Sequence, residues 1–67
     1  MLSARNQLVG KVKSVKLGAV MAQVIVQVGE FEVVAAITAD SAKKMKLKKG
    51  DQVAAVIKAT EVMIAKD

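Results

Sequence analysis

The 67-residue sequence contains no cysteine, histidine, proline, tryptophan or tyrosine, and Phe31 is its only aromatic residue. Without cysteine, the chain can form neither a disulfide nor a thiolate metal site. Without histidine or cysteine, it cannot assemble a Ser/His/Asp or Cys/His arrangement for nucleophilic catalysis. A domain this small usually needs a disulfide, a metal or partner subunits for stability, so the composition favours a homo-oligomer.

Carboxylates are the only acid–base groups left for an enzyme. Each of the six is expected at a turn, a helix cap, a strand edge or a terminus, where a solvated role is ordinary, and the glycines lie too far apart for a phosphate-binding loop. We therefore expect no enzyme, no protein-bound metal cation and no organic cofactor. These carboxylates are Glu30, Glu32, Asp40, Asp51, Glu61 and Asp67.

The chain is basic, with a formal net charge of +5. A basic surface indicates an anionic partner, which is a nucleic acid, an acidic surface or a small anion. Single-strand nucleic-acid binders stack bases on aromatic side chains, and this sequence offers one ring, which we predict to lie in the core. A nucleic-acid-binding barrel is therefore the alternative interpretation, and a purely structural interaction module is a third.

No segment predicts export or membrane insertion. The apolar runs are shorter than the ~20 residues of a membrane-spanning helix. Met1 and Leu2 are followed directly by polar Ser3, Arg5 and Asn6, unlike the apolar region of a signal peptide. We expect a cytoplasmic protein without a membrane partner.

The pattern of apolar and β-branched residues predicts five short strands, with one short helix at 40–45 between the third and the fourth. The fold class that this order predicts is all-β, a small five-stranded barrel like the oligonucleotide/oligosaccharide-binding barrel. An open five-stranded sheet is the alternative, and the chain forms a single domain, 1–67. The predicted strands are 7–16, 20–28, 31–37, 53–58 and 62–65.

Several predicted strands carry apolar or small residues on both faces. In the third strand, Val33 and Ile37 lie on one face while Val34 and Ala36 lie on the other. A barrel that stands alone needs only one apolar face. The second face is therefore a predicted subunit interface.

Hydrogen-bond donors cluster at three places in the sequence. Ser3, Arg5 and Asn6 precede the first strand, Thr38 and Ser41 begin the helix, and Lys58 and Thr60 follow the fourth strand. The oxygens of a tetrahedral dianion such as molybdate only accept hydrogen bonds, so hydroxyls, backbone N–H groups and cationic side chains suit it.

The sequence also resembles a known family. Residues 3–10 resemble the opening SARN-x-x-x-G of the molbindins, small molybdate-binding proteins built from a Mop domain. Residues 37–41 are similar to the helix entry of that family, and residues 48–51 and 56–64 are similar to its closing segment. These motifs keep their order and spacing across essentially the whole chain.

The resemblance implies a Mop domain over 1–67 that binds molybdate or tungstate at subunit interfaces of a hexamer, a trimer of dimers. It implies that intracellular molybdenum storage or homeostasis is the role. A second kind of site near a symmetry axis is also implied, for which the turn at 16–19 is our guess. The implied oxyanion site takes Ser3, Ala4, Arg5, Asn6, Lys58 and Ala59 from one subunit, and Thr38 and Ser41 from its neighbour.

Overall fold

A computed structural model describes residues 6–66. The chain forms three consecutive strands, then a short helix, then a fourth strand and a single turn of 3₁₀ helix. The elements are β1 (Asn6–Leu17), β2 (Met21–Val28), β3 (Phe31–Thr38), α1 (Ala39–Lys44), β4 (Gln52–Ile57) and the 3₁₀ helix (Ala59–Glu61).

The four strands form one antiparallel sheet in the order β3-β2-β1-β4. The long strand β1 connects the two halves of the sheet. Its first half, 6–11, pairs with β4, and its second half, 11–17, pairs with β2. The two ends of β1 therefore have different neighbouring strands, and the predicted donor residues lie near these two ends.

A β-bulge between Val12 and Ser14 changes which residues of β1 face the core. Val12 is buried before the bulge, and Val15 is half-buried after it, so the apolar spacing changes from two residues to three. A bulge adds one residue to one strand and bends it. The bend lets a single strand pair with β4 at one end and follow the curved β2 at the other.

Gly10 lies where β1 passes closest to β2. A Cβ atom at this position would collide with the backbone carbonyl oxygen of Gln27 and would lie 2.9 Å from Cγ2 of Val28. Because a backbone oxygen cannot move aside as a side chain can, only glycine fits at this close contact between β1 and β2.

The core lies on the concave face of the sheet. Val12, Val24 and Val26 are only 2–4% exposed and form its centre. Half-buried aliphatic residues from β3, β4 and the segment after α1 surround them. On that face an apolar trough of about 430 Å³ stays open, lined mainly by residues of β2, β3 and β4.

Local hydrogen bonds define both ends of α1. Thr38 caps its start, and Ala39 donates its backbone N–H to the carbonyl of Val20 at 2.8 Å. At the other end, Lys46 and Leu47 donate backwards to carbonyls of the last turn at 3.0 and 3.1 Å. This pattern is a Schellman motif, in which Lys46 takes the left-handed position with φ +53°.

Most of the predicted order of elements is confirmed, with boundaries shifted by a residue or two, but the fifth strand is not. The described chain has four strands in an open sheet, so neither the predicted five-stranded barrel nor the alternative of an open five-stranded sheet is confirmed. Within 6–66, the segment 62–65 forms no strand ladder. A strand persists only where its backbone groups find a partner edge. Met63 and Ile64 are consequently 92% and 89% exposed.

Two further observations concern apolar residues outside the core. The prediction that Phe31 lies in the core is wrong, since it begins β3 beside the turn at 29–30 and is 74% exposed. Val34 on the outer face is 60% exposed, which agrees with an apolar second face. Within 6–66, no helix is long and apolar enough to cross a membrane.

Candidate oxyanion-binding site

One cluster of predicted donors lies at the start of α1. Thr38 ends β3 in an extended conformation, and its Oγ1 accepts the backbone N–H of Ser41 at 3.1 Å. Short polar residues favour this cap position because their oxygen satisfies one of the unpaired N–H groups of the first turn. The fold therefore holds Thr38 and Ser41 together, as the sequence predicted.

A second hydrogen bond joins the two hydroxyl groups of this pair. Oγ1 of Thr38 lies 2.8 Å from Oγ of Ser41. This bond uses one of the two hydroxyl protons, so the pair keeps one proton that it can donate to another acceptor. The cap bond between Thr38 and the backbone N–H of Ser41 holds the two side chains in position.

A second cluster lies where β1 begins and β4 ends. Asn6 pairs with Ile57 in the sheet, and its Nδ2 donates to the carbonyl of Ile57 at 3.3 Å. Lys58 follows Ile57 and directly precedes the 3₁₀ helix. Its carbonyl accepts the backbone N–H of Glu61 at 2.9 Å. Lys58 and Ala59 are both exposed, so this end offers an ammonium group and backbone donors to solvent.

Three of the predicted site residues, Ser3, Ala4 and Arg5, lie outside the described residues. Thr60, the remaining donor from the sequence, is exposed within the 3₁₀ helix. No carboxylate is among the predicted site residues, but Asp40 lies in the first turn of α1 and Glu61 lies in the 3₁₀ helix. Within 6–66, no group of three or more His, Cys, Asp or Glu residues comes together.

The two clusters lie at opposite ends of the sheet. Asn6 and Lys58 lie at the first end of β1, where it pairs with β4. Thr38 lies beyond the other end, because Leu17 of β1 pairs with Ala22, whose other neighbour in β3 is Ile37. With twelve residues in β1 and a rise of about 3.3 Å per residue, one chain keeps its two donor clusters apart.

The turn that we guessed as a second site joins β1 to β2. A shallow depression of about 450 Å³ beside it is lined by Lys16, Leu17, Gly18, the amide side chain of Gln23 and apolar residues of β2 and β3. It offers one cationic side chain and no hydroxyl. A second oxyanion site at 16–19 stays a prediction.

Comparison with known proteins gives one consistent result. The TOBE domain model matches residues 2–64 of the chain. Molybdenum-pterin-binding protein 3 of Clostridium pasteurianum is 47% identical over 64 residues, which is 94% of both proteins.

Solved structures agree with the sequence comparison. A molybdate-binding protein from Sporomusa ovata superimposes with a TM-score of 0.95 and 42% identity over 98% of both chains. The cytoplasmic molybdate-binding protein ModG, in a form with molybdate bound, gives a TM-score of 0.82 with 40% identity over 88% of this chain. That match spans 43% of the ModG chain. The names of these relatives are those of binding proteins, as expected for a chain that is not an enzyme.

Proposed function

Since this chain belongs to the TOBE domain family, we propose that it binds molybdate at sites shared between subunits of a homo-oligomer. One observation carries the proposal: the donor clusters at Asn6 and Lys58 and at Thr38 and Ser41 lie at opposite ends of the sheet. A site that needs both clusters therefore needs two chains. In a closed assembly, every chain would contribute one cluster to each of two sites.

The chemistry of the two clusters suits a dianion with acceptor oxygens only. Lys58, together with Arg5 from the segment before β1, would neutralise the charge, and the hydroxyl of Ser41 would donate to one oxygen. Ser3 and the backbone N–H groups of Ala4, Asn6 and Ala59 would add neutral donors, while Thr38 holds Ser41. Hydrogen phosphate carries a proton that needs an acceptor, so such a site disfavours it. Tungstate, which is nearly the same size as molybdate, should bind as well.

The ligand that we propose is the free oxyanion, although the curated relative is named for a molybdenum-pterin. A pterin ring would gain most from stacking against an aromatic side chain. The only ring of this chain, Phe31, begins β3 at the turn after β2 and belongs to neither donor cluster. We therefore propose that the anion binds without an organic cofactor. Calorimetry with molybdate alone tests this, and an absence of binding would count against it.

Oligomer formation would also complete the barrel that the sequence predicts. Residues 62–65 have the alternation of a strand, and β3 and β4 each leave one edge unpaired within 6–66. In an assembly, this segment would form the fifth strand between those edges and cover the apolar trough. A hexamer made of three dimers is the assembly that we propose, on the strength of the resemblance to molbindins.

The role that we propose is storage or homeostasis of molybdenum in the cytoplasm. ModG, which has a similar fold, is described as cytoplasmic. A ligand held only by the assembled form shifts the equilibrium towards assembly. Oxyanion binding should therefore stabilise the oligomer, and the midpoint of thermal unfolding should rise with molybdate concentration.

A complementation experiment tests whether the site is shared. Lys58→Gln damages one cluster and Ser41→Ala the other, and each variant alone should bind molybdate weakly in calorimetry. The two variants are mixed in equal amounts, unfolded together and refolded as mixed oligomers. Each cluster of a shared site is then intact in about half of the cases, so about a quarter of the sites should contain two intact clusters. Recovery of that fraction of tight sites supports the proposal, and the unmixed variants taken through the same refolding are the control. No recovery would show that both clusters act within one chain, or that one of them is not part of the site.

A further inference from the structure

The positive charge of this chain is concentrated in one short segment. Residues 43–49, here called the basic segment, contain five lysines and no acidic residue. The remainder of the chain carries six basic and six acidic residues, so the entire net charge of +5 equals that of the basic segment. All five lysine side chains are exposed: Lys43, Lys44, Lys46, Lys48 and Lys49.

Within 6–66, no lysine of the basic segment forms an ion pair with a carboxylate. The one ion pair within 6–66 joins Lys13 to Glu32, and both lie outside the basic segment. The acidic residue nearest in sequence, Asp51, accepts the backbone N–H of Lys48 at 3.0 Å and so stabilises the turn. The basic segment therefore presents five like charges at close spacing, an arrangement that attracts polyanions.

A groove of about 520 Å³ lies between the basic segment and the second half of β1. One wall is formed by Lys13, which is paired with Glu32, and by Ser14, Val15 and Leu17. The other wall is formed by Leu47, Lys48 and Lys49. Both walls combine aliphatic side chains with polar ones. Leu17 is 54% exposed, so the groove offers apolar contact area beside its ammonium groups.

The groove also runs along an unpaired strand edge. β4 pairs with β1 only over 6–11, and β2 occupies the opposite edge of β1 from 11 to 17. Beyond Val12, whose backbone bonds to Gly50 and Asp51 at 2.9 Å, no strand of the described chain covers the edge on the side of β4. A free edge of this kind can accept an extended segment from another protein.

We propose that this groove binds an extended acidic segment of a partner protein that also carries aliphatic side chains. Carboxylates would meet Lys48 and Lys49, aliphatic side chains would contact Leu17 and Leu47, and the backbone would follow the edge of β1. A nucleic acid fits less well, because its bases have no aromatic side chain to stack on beside the groove. The inference concerns a second surface and does not depend on oxyanion binding.

A pair of variants with matched charge tests the proposal. Lys48→Glu/Lys49→Glu reverses two charges at the groove, and Lys11→Glu/Lys66→Glu reverses two exposed charges elsewhere, so both lower the net charge from +5 to +1. The probe is a fluorescent peptide of Glu-Glu-Leu-Glu repeats, followed by anisotropy at low salt. The groove variant should bind it at least about tenfold more weakly than the control variant, because two surface ion pairs are lost and two like-charge contacts replace them.

Two comparisons separate the proposed partner from other occupants. A peptide with serine in place of leucine should bind the parent protein more weakly, and Leu17→Ser should remove that difference. Equal binding by the two charge variants would overturn the proposal, as would tighter binding of duplex DNA than of the peptide. If the groove variant alone changed the solution mass of the protein, the groove would be a contact between copies of this chain, and the proposal would be wrong.

Discussion

Two groups of aliphatic residues in this chain have similar chemistry and opposite surroundings. Val12, Val24 and Val26 are 2–4% exposed on the concave face of the sheet. Met63 and Ile64, which lie in residues 62–65, here called the closing segment, are 92% and 89% exposed. Hydrophobic stabilisation scales with the apolar area removed from water. The first group therefore stabilises the single chain, and the second can contribute only when another surface covers it.

This comparison predicts which substitutions destabilise the chain and which affect only its assembly. Substitutions in the core and at the strand contacts of the sheet should lower the free energy of unfolding. Substitutions in the closing segment should instead change the mass of the protein in solution at a given concentration.

The largest effect is expected at Gly10, where β1 meets β2. Gly10→Ala places a methyl group against the carbonyl oxygen of Gln27, and we expect it to lower the free energy of unfolding by about 2–4 kcal/mol. Urea denaturation at fixed protein concentration measures this. Gly29→Ala is the matched control, since a Cβ there meets no atom within 4 Å and only its φ of +58° opposes alanine. Equal losses in the free energy of unfolding at the two glycines would show that the contact with Gln27 is not the cause.

The next effect contrasts the core with the closing segment directly. Val24→Ala should lower the free energy of unfolding by about 2 kcal/mol, because it removes buried methyl groups and leaves a cavity. Ile64→Ala removes similar apolar area from an exposed position, so it should shift the protein towards smaller species on dilution. Sedimentation velocity over a dilution series follows the second effect. If Ile64→Ala left the mass unchanged at every concentration, the closing segment would not be part of an interface.

Substitution of Thr38 should have a smaller effect on the stability of the single chain. Thr38→Ala removes the cap of α1 and should cost about 1 kcal/mol, whereas Thr38→Ser keeps the oxygen and should cost much less. Thermal unfolding without ligand measures this difference. Both variants should assemble like the parent protein, since the cap bond is formed within one chain. A loss of similar size in both would show that the methyl group, and not the cap, matters.

The smallest effect is a gain. Lys46 takes the left-handed position at the end of α1, which glycine adopts without strain. Lys46→Gly should therefore raise the free energy of unfolding by about 0.5–1 kcal/mol. Lys44→Gly, within the helix, should lower it by a similar amount. A gain at position 44 or a loss at position 46 in urea denaturation would contradict this reading of the backbone.

The local features of this fold could be predicted from the sequence, and the long-range ones could not. Alternating valines indicated β2, alternating apolar residues indicated β3, and Thr38 with Ser41 indicated the start of α1. These signals could be recognised because each lies within a few residues. The predicted fifth strand at 62–65 was not confirmed in the described chain. Its alternating pattern does not indicate which strand edge, if any, lies close enough to pair with it. Phe31 was misplaced for the same reason: composition favours burial of a ring, but its position beside a hairpin turn exposes it.

The site residues show the same division. The polar clusters could be identified from residue type and from the resemblance to a known family. Their separation to opposite ends of the sheet could not, because it follows from the pairing of β1 with β4 at one end and with β2 at the other. A site built from both clusters, as we propose, would therefore need a second chain.

Native mass spectrometry of the protein with molybdate tests this requirement most directly, because it counts chains and bound anions in the same ion. We predict that molybdate appears only on species with two or more chains, and that Ser41→Ala removes it without changing the number of chains. Molybdate retained on a single chain would contradict the shared site.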